Sequence, residues 1–308
     1  MRTHTHWTGL AAADRKASVA MGNFDGVHLG HQSVIRLAAG HSAPLGIVTF
    51  EPHPRQFFAP SAPAFRLMNS EARAHRLAKL GVEQLYEIPF DATLAGMTAE
   101  DFVAEVLVKG LAVANVTVGS DFCFGTGRKG TVATLHDLAQ KHGFGVTIAD
   151  LVTFEGLEVS STNIRTALAE GRPRDAARML GHWHRIEGEV IHGEKRGREL
   201  GYPTANMGVD GLHLPKIGVY AVKVDVLTGP QAGTYGGAAS LGVRQMFGVN
   251  TPNLETFLFD FKGDLYGQHL SIAFVDYLRP ELKFDGLPAL MTQMAADCDR
   301  ARSILANA

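Results

Sequence analysis

An α/β domain followed by a small all-β barrel is the fold class that this 308-residue sequence predicts. Three observations predict it. Apolar, strand-like runs alternate with helical stretches from Ser18 to about Gly181. From Trp183 to about Leu278 that alternation gives way to short strands punctuated by Gly, Pro and Asn. The tail from Pro288 to Leu305 returns to helical spacing, with Leu290, Met294, Cys298, Ala301 and Leu305 on one face. The length suits two cores, so two domains are expected, 1–181 and 182–308.

In the first domain Val19–Met21, Leu45–Phe50, Gln84–Ile88, Val116–Gly119 and Gly145–Ala149 read as strands. Helical stretches fall between them at Gln32–Ala39, Glu71–Leu80, Ala99–Val108 and Val132–His142. Several strands are continuous apolar runs, as expected when helices cover both faces, which predicts a mostly parallel, doubly wound sheet. Ligands of such sheets sit beyond the carboxyl ends of the strands. Three polar motifs fall there: GNFDGVHLGH at Gly22–His31, EPHP at Glu51–Pro54 and GSDFCFGTGRKG at Gly119–Gly130. Two more helices follow, Thr162–Glu170 behind Ser160 and Ser161, and one with Pro173 near its first turn that ends at Gly181.

In the second domain Arg185–His192, Gly218–Val226, Gly236–Leu241, Glu255–Phe261 and His269–Tyr277 read as strands joined by tight turns, the pattern of a small antiparallel barrel. Neither an internal repeat nor a low-complexity segment interrupts the chain.

Net charge is −2, which argues against general nucleic-acid or membrane-surface binding and leaves local basic clusters for small anions. Cys123 and Cys298 form no metal-ligand pair and suit a reducing compartment. No stretch approaches the roughly 18 consecutive apolar residues of a membrane span, so a cytoplasmic protein is expected. Self-association is left open.

The chemistry concentrates first at Gly22–His31. A short apolar run enters Gly22, Asp25 and Gly26 turn the chain, and helix-forming sequence follows His31. Strand, glycine turn and helix start make an anion site, because the first N–H groups of a helix have no intrahelical partner and its dipole favours negative charge. His28 and His31, three apart around Gly30, can face one phosphate. Helix capping is the bland alternative; zinc ligation lacks further partners at typical spacing. In VSSTNIR, Ser161 and Thr162 offer hydroxyls and N–H groups at a second helix start, and Arg165 offers a phosphate fork, beside the plain alternative of an ordinary N-cap. In the barrel, Gly193, Lys195 and Arg198 suit a glycine- and base-rich flap over phosphates, although for the basic residues taken singly a solvated hairpin tip is the favoured reading. Thr204 and Asn206 supply hard neutral oxygens. Glu255 heads a face with Phe257, Phe259 and Phe261, either at a rim in water or as a general base.

HLGH matches the HxGH signature of nucleotidylyltransferases. GNFDGVHLGH, TFEPHP, GSDFCFG, GRKG and VSSTNIR together resemble the first domain of bacterial bifunctional riboflavin kinase/FAD synthetases. GYPTAN and the LETFLFDF–DLYG pair resemble the riboflavin kinase module, a six-stranded barrel. The resemblance implies phosphorylation of riboflavin by ATP, then adenylyl transfer from ATP to FMN, with riboflavin, FMN and ATP as small-molecule partners. It implies His28 and His31 on the ATP phosphates, with Gly22, Asn23, Asp25, Gly30, Ser161, Thr162 and Arg165 around the nucleotide. It further implies Mg²⁺ on Thr204 and Asn206, with Glu255 taking the hydroxyl proton. Two departures stand out: Cys123 where the family often has arginine, and Gln245-Met246 where it more often has Pro-Thr. Adenylylation of another acceptor, and flavin binding without turnover, are the rival readings.

Overall fold

The computed structural model describes residues 1–154, 156–193, 201–246 and 249–308. Two compact units are present: Met1–Pro63 with Arg73–Val159, and Ala64–Ala72 with Ser160–Ala308.

The first unit is built on a six-stranded, all-parallel sheet in the order β1-β4-β3-β2-β5-β6. Its strands are β1 (Arg2–His4), β2 (Ser18–Met21), β3 (Leu45–Glu51), β4 (Gln84–Pro89), β5 (Asn115–Gly119) and β6 (Gly145–Ala149). β2 is buried at every position, and Val19, Val48, Val116 and Val118 are sealed from solvent, as doubly covered strands require. The expected strands are all present. β1 is the addition: three residues, polar and exposed, an edge strand with no apolar signal.

The connecting helices include α1 (Leu29–Ala39), α2 (Pro54–Phe58), α3 (Ser70–Lys79), α4 (Ala92–Gly96), α5 (Ala99–Asp101) and α6 (Val132–His142). α1 starts three residues before the expected Gln32, because His28 caps it. α5 passes directly into a π-helical stretch, Phe102–Leu111, where a single α-helix over Ala99–Val108 was expected. That stretch buries Phe102, Val103, Val106, Leu107 and Leu111 in the core shared with Met21, Val116 and Leu135. α2 and α4, each five residues, were invisible to periodicity because neither completes two turns. A two-stranded hairpin, β7 (Thr153–Phe154) and β8 (Leu157–Glu158), was likewise missed.

The second unit carries α7 (Ser161–Ala169), α8 (Pro173–Leu180) and a six-stranded antiparallel sheet. The strands are β9 (Arg185–Glu189), β10 (Thr204–Gly208), β11 (Gly218–Val226), β12 (Gly233–Met246), β13 (Val249–Leu258) and β14 (His269–Arg279). Their order is β10-β13-β12-β11-β14-β9. A bridge between Ile191 and Asn206, with Ile191 N–H donating to the Asn206 carbonyl at 2.8 Å, brings the two edges together and nearly closes the barrel. The interior combines aliphatic side chains, among them Ile186, Met207, Val222, Leu241, Leu254 and Ile272, with the buried rings of Tyr220 and Phe274.

Three expectations for the barrel are corrected. The PTAN segment, to which the sequence reading assigns no strand, contributes the paired strand β10. The strand expected at Gly236–Leu241 runs on to Met246, with Gln245 and Met246 opposite Asn250 and Val249. Phe261 does not share a face with Phe257 and Phe259. Asp260 turns at φ +56°, so Phe261 packs into the barrel core while Phe257 and Phe259 meet the C-terminal helix α9 (Leu287–Leu305). Cys298 is buried there, as its helical spacing predicts.

Candidate active sites

β2 lies at the centre of the parallel sheet with β3 and β5 as neighbours, so the loops after these three strands emerge side by side. The chain reverses direction of winding between β2 and β5, the switch point where such sheets bind ligands. The loop from Gly22 to His28 is unusual in its backbone. Phe24, Gly26 and Val27 all have positive φ, 51°, 86° and 43°. For β-branched Val27 this is costly, about 1–3 kcal/mol, and persists only where surroundings enforce it. Here they do: Phe24, Asp25 and Val27 are buried, Val27 N–H donates to the Phe24 carbonyl, and Gln32 Nε2 donates to the Val27 carbonyl at 2.9 Å. From β3, Thr49 Oγ1 donates to the Asn23 carbonyl at 3.2 Å.

The loop delivers His28 as the N-cap of α1. Its Nδ1 accepts from His31 N–H at 3.3 Å, and the two imidazoles stack with centroids 3.6 Å apart and planes 18° from parallel. Capping and phosphate recognition are thus compatible. With Nδ1 accepting, a neutral His28 carries its proton on Nε2 and presents that nitrogen as a donor. Gly30 has no side chain for a reason: a Cβ there would lie 3.1 Å from the His28 ring. Burial, and secondarily the neighbouring His28, hold the His31 pKa well below its usual value, so His31 is uncharged at neutral pH. Its Nδ1 is buried without a hydrogen-bond partner among the described residues. Two neutral donors at a helix start suit the crowded oxygens of a polyphosphate.

Sequence reasoning missed the residue that supports this loop. Arg73 is completely buried; its guanidinium reaches the Asn23 carbonyl at 3.5 Å and pairs with Glu51 at 2.9 Å and with Glu87. Nothing in SEARAHRL distinguishes it from a solvated helix arginine, since its partners come from β3 and β4. EPHP proves to be largely local. His53 caps α2 by accepting from Arg55 N–H at 3.0 Å, and Gln56 closes the capping box.

At the same ends of the strands runs an aromatic cluster. Phe102 meets Phe50 and Phe124, Phe50 meets Phe90, and Phe90 meets Phe57 and Phe58 at centroid distances of 5.4 and 5.7 Å. The series runs from buried Phe124 to Phe58, which is 68 % exposed. In GSDFCFGTGRKG the loop is clasped by paired backbone bonds between Phe124 and Gly130, Cys123 is half-buried, and Arg128 and Lys129 are exposed.

In the second unit Ser160 is the N-cap of α7, accepting from Asn163 N–H at 3.3 Å, so Ser161 and Thr162 occupy the first turn. Arg165 Nε donates to the Phe65 carbonyl at 2.6 Å, and its guanidinium lies 5.4 Å from the Phe65 ring centroid.

The barrel gathers its own set. β10 and β13 place Asn206 directly opposite Glu255 and Thr204 opposite Phe257. Ala205 and Met207 point into the barrel core, so Thr204 and Asn206 share the other face. Asn253, also missed from sequence, donates from Nδ2 to Asn206 Oδ1 at 3.2 Å and to Glu255 Oε1 at 3.4 Å. Asn206 Nδ2 donates to the Thr204 carbonyl at 3.3 Å. Gly193 lies against the Asn206 amide, where a Cβ would stand 2.5 Å from Nδ2. Lys195 and Arg198 lie outside the described residues. The oxygen donors of Thr204 and Asn206 fit a hard cation that keeps most of its coordination for water and substrate phosphate, as Mg²⁺ does. Among the described residues no group of three His, Cys, Asp or Glu side chains is placed to hold a metal.

Comparison with known proteins addresses the whole chain. The family model for FAD synthetase matches residues 10–163 and that for riboflavin kinase matches 180–305. A bifunctional riboflavin kinase/FMN adenylyltransferase from Pseudomonas fluorescens is 39 % identical over 302 residues, 96 % of each chain. Its namesake from Listeria monocytogenes is 36 % identical, covering 99 % of this chain and 96 % of that one. The Escherichia coli K12 protein is 35 % identical over 94 % and 93 %. The chain belongs to the bifunctional riboflavin kinase/FMN adenylyltransferase family.

A crystal structure described as a macrolide-efflux protein from Streptococcus pneumoniae matches over 98 % of both chains, with a TM-score of 0.83 and 31 % identity. That likeness concerns the fold; no described helix of this chain is long and apolar enough to cross a membrane. Within the riboflavin kinase/FMN adenylyltransferase family, the FAD-synthetase match contains both histidines and the riboflavin-kinase match contains Thr204, Asn206, Asn253 and Glu255.

Proposed function

We propose that this chain is a two-headed flavin-cofactor enzyme: one head phosphorylates riboflavin with ATP, and the other transfers the adenylyl group of a second ATP to the FMN formed. The observation that carries this reading is that each unit holds its own constellation, stacked His28 and His31 at a helix start in the first and the Asn206–Asn253–Glu255 chain in the second. The functional division follows residues 1–181 and 182–308.

In the adenylyltransferase head an FMN phosphate oxygen attacks the α-phosphorus of ATP, the α–β bridging bond breaks, and pyrophosphate leaves. No covalent enzyme intermediate is needed, and catalysis is positioning plus charge stabilisation. His28, through Nε2–H, and His31, as a neutral imidazole, donate to the bridging and leaving oxygens as charge builds there. Gly22, Asn23, Asp25 and Gly30 shape the loop that brings the backbone to the phosphates. Ser161 and Thr162, in the first turn of α7, bind nucleotide phosphate through hydroxyl and N–H groups, and Arg165 adds charge. The aromatic series ending at exposed Phe58 supports a planar ring system as acceptor, because stacking on aromatic faces favours such rings.

In the kinase head Glu255 takes the proton of the ribityl 5′-hydroxyl as that oxygen attacks the γ-phosphorus, and ADP leaves. Thr204 Oγ1 and Asn206 Oδ1 would hold Mg²⁺, which offsets phosphate charge when bound. Gly193, Lys195 and Arg198 form the phosphate-side flap. The substrates are intracellular metabolites and both cysteines are free, which supports a cytoplasmic location.

Pure protein incubated with riboflavin, ATP and Mg²⁺ is expected to produce FMN and then FAD, separated and read by their absorbance. Formation of neither sinks the enzyme reading; FMN without FAD sinks the adenylyltransferase half alone.

A further inference from the structure

The barrel site contains a residue with no assigned part in the chemistry, placed between two that have one. Asn253 stands two residues before Glu255 on β13, on the same strand face. It is largely buried, at 8 % exposure, and its Nδ2 lies within hydrogen-bond distance of both Asn206 Oδ1 and Glu255 Oε1. We propose that Asn253 is a positioning residue of the kinase site, whose side-chain NH₂ fixes the Glu255 carboxylate and turns the Asn206 carbonyl oxygen toward metal and phosphate. This inference rests on the kinase reading of Glu255 and Asn206 given above.

Donor and acceptor directions fix the order of these contacts. An ionised carboxylate only accepts, so the atom of Asn253 facing Glu255 is the NH₂ rather than the carbonyl oxygen. The second hydrogen of that NH₂ then faces Asn206, which must answer with its carbonyl oxygen. The Asn206 NH₂ is left directed to the Thr204 carbonyl, where it is found at 3.3 Å. Gly193 lies against the other side of the amide, where a Cβ would stand 2.5 Å from Nδ2. Each amide in the chain is therefore set by its neighbour, starting from Glu255. A bare strand surface does not do this. Without Asn253 the Asn206 amide could present nitrogen instead of oxygen, and Glu255 would have one fewer restraint on its rotamer. Partners that orient metal ligands typically matter by 10–100-fold in affinity or activity.

The test uses the full-length protein and measures both activities. Asn253→Ala is expected to lower kinase kcat by about tenfold, with riboflavin KM changed less than about twofold, and to raise the Mg²⁺ concentration needed for half-maximal rate. Asn253→Asp keeps the shape but sets a second carboxylate against that of Glu255 and draws the Asn206 NH₂ in place of its oxygen, and is expected to lose more than the alanine variant. FAD formation from supplied FMN should be unchanged in both, which separates a local effect from misfolding. Kinase kcat within twofold of wild type in both variants overturns the proposal. So does a loss confined to riboflavin KM, or one matched by equal loss of adenylyl transfer. Glu255→Gln is run in parallel: if it retains full kinase activity, the reading of the site itself is wrong. If it is inactive while the Asn253 variants are normal, only the positioning role is.

Discussion

At the scale of single residues, the proposed function gives His31 to the adenylyltransferase head and Glu255 to the kinase head, so their substitutions should have opposite signatures. His31→Ala is expected to slow FAD formation by roughly 100-fold or more while FMN formation continues, the usual effect of removing one transition-state donor. Glu255→Gln should do the reverse, with a kinase loss of roughly 100-fold or more for a missing general base. Chromatographic separation of the flavins distinguishes the cases, and loss of both activities from either change would contradict two independent sites. Gly193 supplies a third case. Alanine there would set a methyl against the Asn206 amide. Gly193→Ala should therefore depress kinase turnover while leaving adenylyl transfer alone. Equal kinase rates for Gly193→Ala and wild type would show that the loop yields easily.

At the scale of elements, the loop after β2 depends on strands that do not carry the chemistry. Arg73 links it to Glu51 on β3 and Glu87 on β4. Truncating one member of a buried ion pair leaves uncompensated charge and typically costs about 3–5 kcal/mol. Arg73→Ala is thus expected to lower the unfolding free energy of the first unit by that order, read as a lower urea midpoint, and to impair adenylyl transfer, with kinase activity retained. An unchanged midpoint in urea, followed by circular dichroism, would show that the three oxygens facing Arg73 have other support. HLGH and its helix were legible because capping, glycine and periodicity are local features. Arg73 was not, because its meaning lies in carboxylates 22 and 14 residues away in sequence. The same holds for β10. PTAN was visible as chemistry, but only pairing with β13 makes it a strand.

At the scale of the whole molecule, acid stability carries a signature of the second unit. His184 is 2 % exposed, and burial, then the charges of His182 and His213, push its pKa down to about 3. In the unfolded chain it titrates near 6.5. Between these values the unfolded state binds the extra proton, so stability is intact above about pH 6.5 and falls as the pH drops toward 3, by about 1.4 kcal/mol per unit. His31 adds a contribution of the same sign in the first unit. His184→Gln, neutral at every pH, should flatten the decline. Parallel denaturation midpoints for the two proteins from pH 7 to pH 4 would remove His184 from the account.

The amino-acid sequence by itself determined the two-part architecture, the parallel and antiparallel character of the two sheets, and the chemistry-bearing motifs. Those follow from periodicity, capping residues and glycine placement, each expressed within a few neighbouring residues. Only the tertiary structure decided that His28 both caps α1 and stacks on His31, that Arg73 holds the loop above it, and that Asn253 stands between Asn206 and Glu255. It also turned Phe261 away from the face it was expected to share. These depend on strand register and on one left-handed residue, which set which side chains meet across the sheet, and side chains distant in sequence leave no periodic trace of that meeting.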